Sequence, residues 1–198
     1  VLEALHRDFG GKCYLCEIEL RLFRFMQVDH RRPRGDGGAK FAWENLFPIC
    51  EQCNKRRPKK WPEAGLLSPG DGVDERLNHG LEVGAGGHEV VALFEARDPT
   101  DMSACATADE LLRIHSVELA TTTGARLRAR ELLQLISDWY LNKVAPLETR
   151  VRQGRRQQQP DAEAEQKLQA LLGRSGQFAG LMRACVDPSL RPPPLAQR

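Results

Sequence analysis

No stretch of this chain approaches the roughly 18 consecutive apolar residues that a membrane-spanning helix requires, and nothing in it resembles a secretory leader. Membrane anchorage and export are therefore not expected, and cytoplasmic residence is. The chain opens on Val1 rather than Met, so native residues can precede it. No internal repeat is visible, and aromatic residues make up only 6%. With 41% hydrophobic and 28% charged residues, the composition is that of an ordinary soluble globular protein. Its 198 residues allow one sizeable domain, or a small module with a helical body.

The net charge is only +2, but it is unevenly spread. Residues 1–61 carry a balance of +5 and the remaining 137 a balance of −3. Four thiolates around a zinc ion would lower the first figure by about two. The first third still holds the cationic bias that a polyanionic substrate calls for.

Six cysteines raise the question of disulfides. Four of them, however, form two Cys-x-x-Cys pairs, Cys13/Cys16 and Cys50/Cys53, in a chain without secretory features, which favours a metal. Two such turns complete the tetrahedral shell of a structural Zn²⁺ and leave no coordination position open. The 33 residues between the pairs are enough for a hairpin and loop. A thioredoxin-like redox role for one pair would need a βαβ context that the pattern lacks. Cys105 and Cys185 are expected to be inert, buried thiols.

The expected fold is α+β: a compact N-terminal module followed by a mainly helical body. Residues 23–28 read as a short strand that delivers Asp29 and His30 at its end. Pro33, Gly35, Gly37 and Gly38 then demand a loop. Residues 46–49 read as a second strand beginning at Asn45, and residues 50–57 as a short helix stopped by Pro58. Divisions are expected at 1–61 for this module, 62–102 for a Gly/Pro-rich connector with short strands, 103–187 for the helical region and 188–198 for a Pro-rich tail. In the connector, residues 88–97 are the best strand, paired with 81–83. Thr107 with Glu110 fits a capping box that opens a helix. A longer helix spans 124–144 with Leu132, Leu135, Ile136, Trp139 and Tyr140 on one side. Polar residues 151–159 suggest a helix end or linker, and two further helices cover 161–173 and 177–186.

Phosphodiester hydrolysis needs an activated water and positive charge on the developing oxyanion and leaving oxygen. His30 suits the base, since imidazole is near neutrality at cellular pH. On an extended backbone Asp29 points to the opposite side and is free to hold Mg²⁺ or Mn²⁺, with Asn54 as a second oxygen donor. Asn54 directly follows zinc ligand Cys53, so the zinc would fix the helix that carries it. Asn45 can bond backbone across the loop and orient His30. An isolated Asp-His pair is usually a surface turn; here Asn45, Asn54 and the cysteines supply the company that His6, His79, His88 and His115 lack. His115, near apolar residues, reads as a hydrogen-bonded core histidine. Lys55, Arg56, Arg57, Lys59 and Lys60, with Arg31, Arg32 and Arg34, are expected to contact DNA phosphates without reading sequence.

The strings Val28-Asp29-His30-Arg31-Arg32-Pro33, Glu44-Asn45-Leu46 and Cys50-Glu51-Gln52-Cys53-Asn54-Lys55 resemble the HNH, or ββα-metal, endonuclease superfamily. The resemblance covers about residues 12–61. It implies His30 as general base, Asp29 and Asn54 as ligands of the catalytic ion, and Asn45 as loop organiser. Asn at the last motif position, where some members have His, is a variant of the pattern. A looser resemblance, through Cys13-Tyr14-Leu15-Cys16-Glu17, Leu66-Leu67-Ser68-Pro69-Gly70-Asp71 and a helical C-terminal body, is to the HNH subunits (PtuB) of Septu-type anti-phage defence systems. It implies an ATPase partner (PtuA-like) and DNA cleavage triggered by infection. The competing expectations are a stand-alone restriction-type HNH nuclease and a non-catalytic, zinc-stabilised nucleic-acid-binding or adaptor module.

Overall fold

The computed structural model describes residues 1–20, 25–57, 60–70, 72–83 and 90–192. Helix α1 (Leu2–Asp8) leads into a turn that carries Cys13 and Cys16. Strand β1 (Met26–His30) pairs antiparallel with β2 (Leu46–Cys50), in a register running from Met26 opposite Cys50 to His30 opposite Leu46. Helix α2 (Glu51–Arg56) follows without a break. Its N-cap is Cys50, whose sulfur accepts from the Cys53 amide at 3.4 Å. Glu51 in its first turn and Lys55 and Arg56 in its last complement the helix dipole. The order strand, loop, strand, helix is therefore the expected one. β1 runs on through Asp29 and His30, whereas residues 23 and 24 of the expected strand, and Pro58 at the expected helix stop, lie outside the described residues. Asn45 ends a 3-10 turn (Trp43–Asn45) immediately before β2 instead of opening the strand.

Beyond a single helical turn, α3 (Val73–Arg76), strands β3 (Leu77–Val83) and β4 (Val90–Ala96) form a second antiparallel hairpin. β3 is longer than the expected 81–83, while His88 and Glu89, expected to open the second strand, lie outside the described residues. This hairpin packs on α4 (Met102–His115) and α8 (Ala179–Cys185).

Helix α4 begins at an Asp101 cap, whose carboxylate accepts from the Ala104 amide at 3.0 Å, and not at Thr107. Asp is the stronger N-cap, and the small residues after it propagate a helix, so Thr107 falls inside. There its hydroxyl donates to the Ser103 carbonyl (2.7 Å) and accepts from the Leu67 amide (2.9 Å), tying the preceding loop to the helix. Helix α5 (Thr123–Trp139) passes through a π-helical turn (Tyr140–Val144) into α6 (Ala145–Arg156). Pro146 cannot donate to the carbonyl four residues back, and a widened turn just before it absorbs that loss. The buried stripe of α5 is Ala129, Leu133 and Ile136; of the expected face, Ile136 is buried and Leu132, Trp139 and Tyr140 pack against the core, while Leu135 is exposed and Leu133 takes its place. Helix α7 (Ala162–Leu172) starts from an Asp161 cap, and α8 completes the body.

Two apolar clusters result. The larger joins the β3–β4 hairpin to the helices through Leu77, Phe94, Ile136, Leu168, Phe178 and Met182. The smaller fills the N-terminal module with Leu5, Leu20, Met26, Leu46, Ile49 and the cysteines, and Ile114 of α4 enters it. The helical body thus supplies part of the module's own core. Among the described residues no helix is long and apolar enough to cross a membrane.

His115, at the end of α4, is a core histidine. It is fully enclosed, its Nδ1 donates to the Leu111 carbonyl at 2.8 Å, and its ring lies 4.8 Å from that of Phe94. Burial pushes its pKa down from 6.5 to about 4. The unfolded chain therefore binds this proton across the window between those values and the folded chain does not. Stability from this site is complete above about pH 6.5 and falls as the pH drops toward 4. At about 1.4 kcal/mol per pH unit the loss reaches roughly 3 kcal/mol. Denaturant unfolding of wild type and a His115→Gln variant should show a flatter profile for the variant across that window.

Candidate active site and metal centre

Cys13 and Cys16 sit on a turn closed by Glu17 N to Cys13 O (2.9 Å) and Cys13 N to Ile18 O (3.0 Å), with Glu17 in a left-handed conformation. The Tyr14 amide donates to Pro48 O at 2.9 Å, fastening this turn to β2. Cys50 and Cys53 approach from the start of α2. All four sulfurs lie within 4.8 Å of one another, and none is in a disulfide. A tetrahedron of Zn–S bonds near 2.3 Å has edges of about 3.8 Å, and the Cys16–Cys50 separation is 3.9 Å. The cluster can hold a metal ion, and its donors and spacing fit a structural zinc. Crowding shows in the thiols: hydrogen bonds from neighbouring sulfurs hold Cys50 low, while they and burial push Cys16 and Cys53 up. Cys105 and Cys185 are half-buried and stand outside this cluster.

The same helix addresses one face of β1. Asn54 donates through Nδ2 to Gln27 Oε1 at 2.7 Å. Three residues further on, Arg57 pairs with Asp29 Oδ2. Gln27 and Asp29 are two apart on β1 and therefore share a face, and positions three apart on a helix are neighbours. Asp29 Oδ2 also accepts from the Tyr14 hydroxyl at 2.7 Å, whereas among the described residues Oδ1 takes no hydrogen bond. Burial first, and Asp29 second, push the Tyr14 pKa well up, which keeps it a donor.

Arg57 is the residue whose placement departs most from a phosphate-contacting surface cation. Its side chain is 6% exposed. It donates to Asp29, to the carbonyls of His30 (3.3 Å) and Arg31, and through Nε to Glu110 Oε1 of α4 at 3.2 Å. Burial opposes its charge, but Tyr14, Asp29 and Glu110 around it hold its pKa up. Burial pushes the Glu110 carboxyl up, with Arg57 pulling the other way. Arg56 is likewise committed to the fold, donating to the carbonyls of Ile114 (2.6 Å), Arg113 and Ser116 at the end of α4. Lys55 is exposed and pairs with Glu51; Lys60 is exposed, and Lys59 lies outside the described residues. Arg31 donates to the Leu66 carbonyl (2.9 Å) and lies against the rings of Phe47 and Trp61. Arg32 and Arg34 remain exposed on the loop.

His30 faces the other way, toward that loop. Its Nε2 lies 2.9 Å from the Lys40 carbonyl. A carbonyl only accepts, so Nε2 carries the proton and Nδ1 the lone pair. The loop is built by Asn45, which is buried: Oδ1 accepts from the Arg32 amide (2.8 Å), and Nδ2 donates to the carbonyls of Arg32 and Ala39 (both 3.1 Å). Gly38 presses so close to Arg32 that a Cβ would sit 1.8 Å from its carbonyl oxygen, so only glycine closes the loop. Asp29 and Asn54 therefore lie on the α2 side of the hairpin and His30 at its loop end.

Tyr14, Gln27 and Glu110 belong to this site without having been read from the sequence. Gln27 alternates with Asp29 on the strand, which is a usable signal. Tyr14 lies between two cysteines and Glu110 on a distant helix, and neither carries one.

The β1–β2 hairpin and α2, with the four cysteines gathered at their hinge, form a ββα-like module. Residues 13–60 match the family model described as HNH endonuclease. The chain contains an HNH endonuclease domain, which supports an enzymatic, nuclease function for it. No curated protein and no solved structure matches the chain.

Replacing Arg57 should separate its structural role from a surface one. Arg57→Met leaves Asp29 and Glu110 buried without a cation and is expected to destabilise the protein by about 3–5 kcal/mol in denaturant unfolding. A surface phosphate contact would change stability by no more than about 0.5 kcal/mol.

Proposed function

We infer that this protein is a metal-dependent endonuclease that hydrolyses DNA phosphodiester bonds. The observation that carries the reading is the 2.9 Å contact of His30 Nε2 with the Lys40 carbonyl, which assigns the ring proton to Nε2. The loop held by Asn45 presents a carbonyl to Nε2, so Nδ1 is the atom that takes the proton from an attacking water. Asp29 Oδ1 and Asn54 Oδ1 are the oxygen donors for Mg²⁺ or Mn²⁺. Asp29 and Glu110 together carry one more negative charge than Arg57 offsets, a local balance that suits a cation. When bound, the ion supplies positive charge to the phosphate and the leaving oxygen. Exposed Arg32, Arg34, Lys55 and Lys60 supply phosphate contacts.

A Septu-like setting, with a PtuA-like ATPase presenting infecting DNA to this nuclease, is the biological role we attach to the reading. It is supported by the Cys13–Glu17 and Leu66–Gly70 strings and by a helical body that exposes Leu127, Leu135 and Leu141 to a partner. Asp71, the last residue of the second string, lies outside the described residues. A stand-alone restriction-type nuclease is the alternative if cleavage needs no partner, and a non-catalytic adaptor if no cleavage occurs with one.

Plasmid DNA incubated with the protein and Mg²⁺ or Mn²⁺, with and without the ATPase, tests both. Cleavage should be divalent-dependent and fall by about 10²- to 10⁴-fold in His30→Ala. Equal rates for wild type and variant would remove His30 as the base.

A further inference from the structure

The loop that holds His30 also carries two exposed aromatic side chains. Phe41 is 82% exposed and Trp43 is 40% exposed. Phe41 follows directly on Lys40, whose carbonyl binds His30, and Trp43 comes two residues later. Leaving apolar surface in water forgoes about 25 cal/mol per Å²; Phe41 gains little enclosure, and Trp43 keeps a large part of its surface in solvent. Nor is the loop a loose one that happens to shed them. Asn45 ties its base to Arg32 and Ala39, and Gly38 is closed against the Arg32 backbone. The rings are held outward on a fixed support.

Their surroundings narrow the occupant. The Lys40 ammonium lies 4.8 Å from the centre of the Phe41 ring, and Arg32 and Arg34 are exposed on the same loop. Residues 31–44 contain four basic and two acidic side chains. Of the acids, Asp36 is engaged by the Trp61 amide at 2.9 Å and Glu44 faces solvent. Exposed aromatic faces interleaved with cations, beside a phosphodiester-cutting base, match the chemistry of a nucleic acid strand better than that of an apolar protein surface. A base inside a duplex already has both faces covered by its neighbours. A projecting ring therefore finds a partner without an unstacking cost where bases are unpaired, whereas entry between stacked pairs costs a few kcal/mol.

We propose that Phe41 and Trp43 form a stacking platform for unpaired bases of single-stranded DNA next to the cut, with Lys40, Arg32 and Arg34 drawing in the backbone. The inference rests on the endonuclease reading and names its substrate class. Stacking on aromatic rings accepts any base, so the platform selects strand state rather than sequence.

The test measures binding, not cleavage. His30→Ala protein is titrated into labelled oligonucleotides of one sequence, as single-stranded DNA, as duplex DNA and as single-stranded RNA, and anisotropy is followed. Adding Phe41→Ala or Trp43→Ala should each weaken single-stranded DNA binding about five- to a hundredfold, the range of one lost base stack, with a smaller effect on the duplex. Leu119→Ala removes another bare apolar residue, 54% exposed, from the segment between α4 and α5 and should alter neither. The proposal is overturned if the aromatic variants bind the single strand like the parent, if they lose single-strand and duplex binding equally, if RNA binds more tightly than DNA, or if no oligonucleotide binds. Failure of the endonuclease reading looks different: wild-type protein with Mg²⁺ cuts none of these substrates, with or without the ATPase, while the dependence on Phe41 and Trp43 persists.

Discussion

One buried guanidinium joins the parts of this molecule. Arg57 reaches from the end of the α2 segment to Asp29 on β1, to the backbone of the His30 loop, and to Glu110 on α4. Removing a charged group from water costs several kcal/mol, recovered only where several acceptors converge on it. Here four do, and they come from elements far apart in sequence. The strand, the loop and the helical body consequently share one electrostatic optimum. This also explains why α4 is not an appendage: Glu110 completes the ion cluster while Ile114, one turn later, fills the module's core.

The metal cluster and the candidate active site are two ends of one short helix. Cys50 and Cys53 fix the start of α2, and Asn54 and Arg57 project from its remaining length onto Gln27 and Asp29. An error in the placement of the first turn would be carried to both contacts, since α2 has only six residues and too few internal bonds to persist alone. The cysteines therefore provide what propensity cannot, a fixed origin for the side chains that face the strand. On the other face, Asn45 and Gly38 do the equivalent work for His30 with backbone hydrogen bonds and a close approach. Two independent supports set the two sides of the site.

Much of this was legible in the sequence wherever a local rule governed. Paired cysteines, the Pro/Gly loop and alternating apolar residues placed the hairpin, the helix and the metal cluster, because each depends on residues close in the chain. What escaped depended on distance or on competition. Thr107 with Glu110 has the form of a capping box, but Asp101 caps first, and Glu110 instead serves Arg57. A run of basic residues after Asn54 looks like one solvated face. Yet the turn of α2 sends Arg56 and Arg57 inward to α4 and β1 and leaves Lys55 outside. On α5 the apolar residues are too numerous for periodicity to choose a face, and contact with the rest of the body selects Leu133 over Leu135.

The central claim is that Asp29 and Asn54, although held by Arg57 and Gln27, form with His30 a site for a divalent ion. The most direct measurement is anomalous diffraction from crystals of the metal-loaded protein soaked in Mn²⁺. The account predicts a manganese peak within coordination distance, about 2.0–2.3 Å, of Asp29 Oδ1 and Asn54 Oδ1, apart from the ion held by the four cysteines. Manganese absent from that position, with the Asp29–Arg57 pair unchanged at saturating Mn²⁺, would contradict it.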